Sequence, residues 1–162
     1  MVENLLKMNK SDIEHYWYAF LSSLPANSKY FGKPYVAEGF GDNPKLADEL
    51  GQLIANGEKT GTCSALWEWE AEGMPIPQPG LISIVLDGLD QPICIIETME
   101  VSVSRFNAVD EEFARAEGEG DLSLEYWREA HKKFFSRVLP KFGKEFSEDM
   151  PLVCERFKLI YK

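Results

Sequence analysis

The chain reads as an α+β domain: a small, mostly antiparallel β-barrel with helices on its flank. Three observations lead there. Helix-like segments come first, then strand-like segments interrupted by helices, then a closing strand. The strand-like runs follow one another too closely for a series of parallel crossovers, each of which needs a dozen or more residues. Finally, 44% of the 162 residues are apolar, with four Trp, six Tyr and ten Phe among the side chains, enough to fill one core.

Taken in order, Ser11-Asp12-Ile13-Glu14 has the spacing of a capping box. It predicts a helix through Tyr16, Tyr18, Phe20 and Leu21 that stops before Pro25. Residues 26–41 carry Gly32, Pro34, Gly39 and Gly41 among aromatic residues and are expected to be irregular. Asn43 is a good N-cap with Pro44 at the first helical position. Leu46, Leu50, Leu53 and Ile54 then form one apolar stripe, and Gly57 closes the helix. Ala65, Trp67 and Trp69 alternate with Leu66, Glu68 and Glu70, which predicts a strand. Three prolines between Met74 and Gly80 mark a connection, and Leu81 to Leu86 reads as a buried strand. Asp87-Gly88 turns the chain into a long strand from Pro92 to about Phe106. Helices are expected over 109–116 and 122–138, and a last strand over 152–161. The opening helix is read as an extension over residues 1–28, ahead of one domain over 29–162.

The net charge of −10 bounds the partners. Phosphate neutralisation supplies most non-specific affinity for nucleic acid, so a broad basic face and an extended duplex are not expected. A pocket with one or two cations still suits a nucleoside, a nucleotide or a short single-stranded RNA. No apolar run approaches the roughly 20 residues of a membrane helix. Met1 to Lys7 lacks the charged start and apolar middle of a secretory leader, so a cytoplasmic setting without membrane contact is expected. Cys63, Cys94 and Cys154 are far apart and show no CxxC spacing, so they read as buried free thiols; no metal and no cofactor are expected.

Four groups of residues are candidates for chemistry. Lys59 and Thr62, in Gly57-Glu58-Lys59-Thr60-Gly61-Thr62, sit between a helix end and a strand and can converge on one ligand. There Lys59 holds a carbonyl or phosphate oxygen, or acts as a base if desolvation lowers its pKa. The plain alternative is a solvated lysine near a helix C-terminus. Glu97 shares the apolar row Ile93, Ile95, Met99, Val101 and Val103, where a carboxylate needs a partner: Lys59, or an arginine inside the barrel. A bulge that lets it reach water, or a structural ion pair, accounts for it equally. Glu117-Gly118-Glu119-Gly120-Asp121 precedes a helix. Its acids favour a helix N-terminus, with Asp121 or Ser123 as cap, while its glycines leave Glu119 free to reach a cleft as a general acid/base. Trp127 and His131, four apart on a helix, form either a platform for a flat base or an aromatic core with a satisfied histidine. His15 reads as a surface or packing residue.

Taken as an ordered set, several stretches resemble the ASCH domain family, most closely its longer bacterial members. They are Glu38-Gly39-Phe40-Gly41-Asp42-Asn43-Pro44, the helix Leu46-Ala47-Asp48-Glu49-Leu50, Gly57 to Thr62, the acidic loop 117–121, and Trp127-Arg128 with His131 and Phe134-Phe135. The resemblance covers about residues 30–162. It implies a PUA-like barrel with flanking helices and a cleft suited to RNA or nucleotides. Some small ASCH proteins are amidohydrolases that remove the acetyl group from acetylcytidine, using a lysine, a threonine three residues later and a downstream glutamate. Lys59 and Thr62 match the first two by spacing, and Glu119, or Glu117 one short shift away, the third. On this reading Trp127 stacks on the base, and Glu97, Glu117 and His131 complete the binding site. The chain departs from the small branch in its N-terminal helix, its longer 70–80 connection and its glycine-rich acidic loop. Two alternatives stand beside the hydrolase: an RNA-binding module without catalysis, and a metal-independent ribonuclease with His131 as acid/base.

Overall fold

A computed structural model describes the backbone of residues 2–162 and the side chains of residues 10–162. Met1 and the side chains up to residue 9, on which the absence of a secretory leader was read, lie outside the described residues. The elements are α1 (Val2–Ser22), β1 (Val36–Gly39), α2 (Pro44–Ala55), β2 (Gly61–Ala65), α3 (Leu66–Glu72), β3 (Ile82–Leu86), β4 (Pro92–Arg105), α4 (Glu111–Glu117), α5 (Leu124–Val138) and β5 (Pro151–Tyr161). The strands form one curled five-stranded sheet in the order β1-β3-β4-β5-β2. The β1–β3 pair is parallel and the other three pairs are antiparallel, which makes the sheet a mixed half-barrel flanked by helices.

The 14-residue β4 is the spine, because it pairs with both β3 and β5. Its register against β5 shifts between Ile95 and Ile96 and again between Thr98 and Glu100. Such bulges add local twist and bend a strand, and here they curl the sheet. The alternation of side chains then assigns the two faces. Ile82, Ile84, Leu86 and Ile95 pack against Trp17 and Phe20 of α1. Val85, Cys94, Ile96 and Phe157 pack against Ile54 and Ala55 of α2. A third cluster joins Ala65, Leu152 and Cys154 of the sheet to Phe113 of α4 and to Trp127 and Phe135 of α5. Burying aromatic side chains such as Trp17 and Phe20 is worth about 1.5–3 kcal/mol each, enough to hold α1 against the sheet. That placement puts α1 behind the sheet and away from α2. No helix among the described residues is long and apolar enough to cross a membrane.

Three local expectations are corrected. Ser11 is no N-cap: α1 begins well upstream of it, and its Oγ lies 3.4 Å from Nδ1 of exposed His15. The Ser-x-x-Glu spacing of a capping box also suits two neighbours on one helix face, so it marked a helix without marking its start. The stretch 26–41 is not wholly irregular, since Val36–Gly39 forms an exposed edge strand parallel to β3. The Trp-rich run is helical: β2 stops at Ala65, and Leu66–Glu72 forms α3. Gly73, at φ +64°, ends that turn, its N–H donating to Glu70 O while Met74 N–H donates to Trp69 O. Trp69 Nε1 also donates to Ser64 Oγ at 2.8 Å, a contact between residues five apart that folds the chain back on itself.

The α2 helix follows its local signals. Asn43 Oδ1 accepts the Leu46 N–H at 2.9 Å, Pro44 occupies the first turn, and Gly57 at φ +74° leaves the helix. Replacing Asn43 by Ala removes the cap and should lower unfolding free energy by about 1 kcal/mol, read as a lower urea midpoint at unchanged m-value.

Candidate active site

The exit from α2 builds the site. After Gly57 the chain folds over the helix end, where the N–H groups of both Glu58 and Lys59 donate to Leu53 O, at 2.9 and 3.0 Å. Thr60 N–H then donates to Ala116 O at 2.7 Å, and Phe157 N–H to Thr60 O at 2.9 Å. These bonds pin residues 58–60 between the end of α4 and the start of β2. Gly118 lets the two backbones approach. It holds φ +71°, and a Cβ there would fall 2.4 Å from Glu58 O and 2.9 Å from Lys59 Cα. The glycine that sequence reading took as loop freedom is therefore a close-packing requirement.

Lys59 ends up 2% exposed, yet each of its three ammonium protons has an acceptor. Nζ is 2.8 Å from Glu117 Oε2, 3.3 Å from Glu117 O and 3.2 Å from Glu119 Oε2. Glu117 Oε2 also faces His131 Nε2 at 3.4 Å, while His131 Nδ1 lies 2.8 Å from Trp127 O. That carbonyl can only accept, so Nδ1 carries a proton. The four groups lie on α4, α5 and the two connecting loops, 58 residues apart in sequence at the Lys59–Glu117 bond.

Their titration follows from burial and charge. Burial works against the Lys59 ammonium, but the Glu117 and Glu119 carboxylates outweigh it and hold its pKa above the ordinary lysine value. Burial likewise opposes charge on Glu117, yet Lys59 and His131 hold its carboxyl well below the usual range. Burial pushes Glu119 up, Lys59 opposes this, and the Glu117 charge adds to it, leaving Glu119 above the usual carboxylate value. His131 is raised because the Glu117 carboxylate overcomes the cost of burial. Two carboxylates two residues apart are thus driven in opposite directions, the pattern expected where one stays ionised and the other exchanges protons.

A cavity of roughly 270 Å³ opens beside this cluster. Lys59, Thr62 and Cys63 line its sheet side, buried Glu117 its inner end, the more exposed Glu119 its outer side, and Phe40 and Leu46 the wall toward α2. The far wall is one face of α5: Tyr126, Ala130, Lys133, Phe134 and Arg137. Across the mouth Arg137 Nε and Nη2 donate to the two carboxylate oxygens of Asp42 at 3.1 and 3.2 Å. Sequence reading missed Phe40, Tyr126, Lys133 and Arg137 as lining residues. The spacing 126, 130, 133, 137 is helical and was available as a signal, but nothing local said which face would meet the lysine.

The structure brings Lys59, Thr62, Glu117, Glu119 and His131 to one cavity, and it separates two other candidates from it. Glu97 does not pair with Lys59. It lies two residues beyond Ile95 on the α1 side of the sheet, where Lys29 Nζ (2.9 Å), the Tyr30 hydroxyl (2.8 Å) and Lys158 Nζ (3.4 Å) surround its carboxylate. The period-two geometry of a strand put it on the opposite face from α2. Trp127 is 2% exposed and packs between Phe106 and His131, with its ring stacked on the imidazole at 4.3 Å and 18°. It positions His131 and has no free face for a base. The two carboxylates favour the charged form of Lys59, which suits holding an oxygen better than accepting a proton.

Two measurements check this geometry. The His131 imidazole should titrate above 6.5, and Glu117→Gln should bring it down; 1H–15N spectra read this directly. Because the folded-state pKa of His131 is raised, its pairing stabilises fully below about pH 6.5 and this contribution is lost as pH rises through the folded value. Gly118→Ala should cost more than the usual strain of a positive φ, about 1–3 kcal/mol, and should loosen the Lys59 contacts, seen as a lowered melting temperature together with a shifted His131 titration.

A profile of the ASCH domain matches residues 36–161. No curated protein matches the chain. The ASCH domain from Lactobacillus crispatus JV V101 is 38% identical, with 96% of each chain covered and a TM-score of 0.85. Protein EF3133 from Enterococcus faecalis V583 is 37% identical over 93% of this chain and 89% of that one, at a TM-score of 0.81. The hypothetical protein PH0355, 15% identical at a TM-score of 0.50, shares the fold alone. With the curled half-barrel, its flanking helices and these matches together, the chain belongs to the ASCH domain family, with the PUA-like architecture of that family.

Proposed function

We propose that the cavity binds a nucleoside, a nucleotide or the end of a short single-stranded RNA, and that Lys59, Thr62 and Glu119 hydrolyse an amide or acyl group on a modified base, with N-acetylcytidine as the first substrate to try. The observation that carries the reading is the convergence of a buried ammonium, a hydroxyl and a carboxylate of raised pKa on one cavity. The volume of roughly 270 Å³ suits one nucleoside better than a track of RNA, lying at the low end of small-molecule pockets. The aromatic walls at Phe40 and Phe134 supply apolar surface for a flat base, and Lys133 supplies positive charge for a phosphate, while Arg137 is already paired with Asp42.

In this mechanism the acyl carbonyl oxygen accepts a hydrogen bond from the Lys59 ammonium, which exchanges its Glu119 contact for the substrate. Thr62 Oγ1 attacks the carbonyl carbon and its proton passes to the Glu119 carboxylate. The tetrahedral oxyanion is held by Lys59, whose charge Glu117 maintains. Collapse breaks the C–N bond, and Glu119 returns the proton to the departing amine. Water then cleaves the Thr62 ester, with Glu119 taking the water proton and handing it back to Thr62. The products are the carboxylic acid and the free amine of the base, and no external oxidant or reductant enters.

His131 is poorly disposed to act as the acid/base of a ribonuclease, since one ring nitrogen is held by Trp127 O and the other faces Glu117. The test is release of cytidine from N-acetylcytidine, followed by chromatography. Wild type should turn over, while Thr62→Val and Glu119→Gln should each lose about 10²-fold or more in kcat/KM with melting temperatures close to wild type. Lys59→Ala is the wrong probe, because stranding Glu117 without its partner costs about 3–5 kcal/mol of stability. Binding of cytidine without any turnover of the acetylated form would replace the hydrolase by a binding module.

A further inference from the structure

We propose that Cys63, Glu117 and His131 form a site for one thiophilic divalent cation of the zinc class at the inner end of the cavity. The Cys63 thiol, a Glu117 carboxylate oxygen and a His131 ring nitrogen all lie within 4.8 Å of one another. Zinc takes sulfur at about 2.3 Å and nitrogen or oxygen at about 2.0–2.2 Å, which sets ligand atoms roughly 3.5 Å apart, so closure needs side-chain adjustments of about an ångström.

Two further observations point to a ligand there. Glu117 Oε1 is buried and receives no N–H or O–H donor among the described residues, although Oε2 of the same carboxylate serves both Lys59 and His131. Its company is the Cys63 thiol, which burial and the Glu117 carboxylate push well above the ordinary thiol value, so an ion must displace that proton to bind. An orphaned buried carboxylate oxygen is costly unless something fills its lone pairs. In addition, His131 Nδ1 is engaged with Trp127 O, and Trp127 stacks on the ring. A backbone carbonyl on one nitrogen is the usual way to orient the other toward a metal. The three ligands come from β2, α4 and α5, which meet in one packed cluster, and all three border the cavity, so an ion has an entry path and a fourth position open to water.

The neighbouring ammonium does not forbid this. At a pH where His131 is protonated, Lys59 and His131 balance the carboxylates of Glu117 and Glu119 without the ion. With it, a Cys63 thiolate joins those two carboxylates against Lys59 and the dication. The ion therefore replaces two protons, one from the thiol and one from His131 Nε2, and both leave to solvent. Lys59 keeps Glu119 as its partner at 3.2 Å. The bound ion competes with Lys59 for Glu117, so it would slow any reaction that relies on that pair.

Titrating the purified chain with Co2+ and no substrate tests the site. One equivalent should give a thiolate-to-cobalt charge-transfer band, and one equivalent of Zn2+ should remove it. Cys63→Ser should lose the band and Cys94→Ser should keep it. Glu117→Gln, checked for folding by circular dichroism, should keep the band with affinity weakened tenfold or more. No thiolate band in wild type, or a band that survives Cys63→Ser, overturns the proposal. Because the readout uses no substrate, the outcome is independent of whether N-acetylcytidine is hydrolysed.

Discussion

The buried ammonium of Lys59 is the constraint around which this molecule is arranged. A cation removed from water is costly, and its mutual attraction with carboxylates repays that cost only when every proton has an acceptor. Here the acceptors come from the end of α4 and the loop after it, so the exit of α2, the start of β2 and the acidic loop must meet within hydrogen-bond distance. Gly118 makes the approach sterically open, Thr60 ties it to Ala116, and Trp127 fixes the histidine that shares the second carboxylate oxygen. The cavity is the space left beside this arrangement.

The same cluster explains why two acids so close in sequence behave differently. Glu117 is enclosed and touches both cations, so its negative charge is the cheapest state available. Glu119, with 21% of its side chain exposed, reaches the ammonium from the cavity side and feels the charge of Glu117. Placing one carboxylate behind the lysine and one on its cavity side gives two acids of the same chemical kind different charge environments.

What was legible in the sequence was mostly local. Asn43, Pro44 and Gly57 act through bonds within a few residues, so α2 could be drawn before any tertiary contact was known. The lysine, threonine and acidic-loop motif was legible as a set, because its members keep their order along the chain. Misreadings arose where a local pattern served two structures equally. Alternation over 65–70 is equally compatible with one short helix, which Gly73 at positive φ closes and the Trp69–Ser64 bond folds back on β2. Val36–Gly39 escaped notice because an exposed edge strand has no apolar pattern to display. Glu97 was drawn toward the site by its place in an apolar strand row and Trp127 by its helical spacing to His131; whether a strand residue faces α1 or α2, or a helical residue faces core or cavity, depends on packing that no window of sequence contains.

The Asp42–Arg137 contact makes one wall of the cavity sensitive to salt. Exposed ion pairs contribute at most about 1 kcal/mol and weaken further in salt. This bridge links the loop ahead of α2 to the last turn of α5, with the Arg137 side chain 52% exposed and open to screening. Salt that weakens the bridge therefore bares the Arg137 guanidinium beside the cavity, so the charge lining that wall changes with ionic strength.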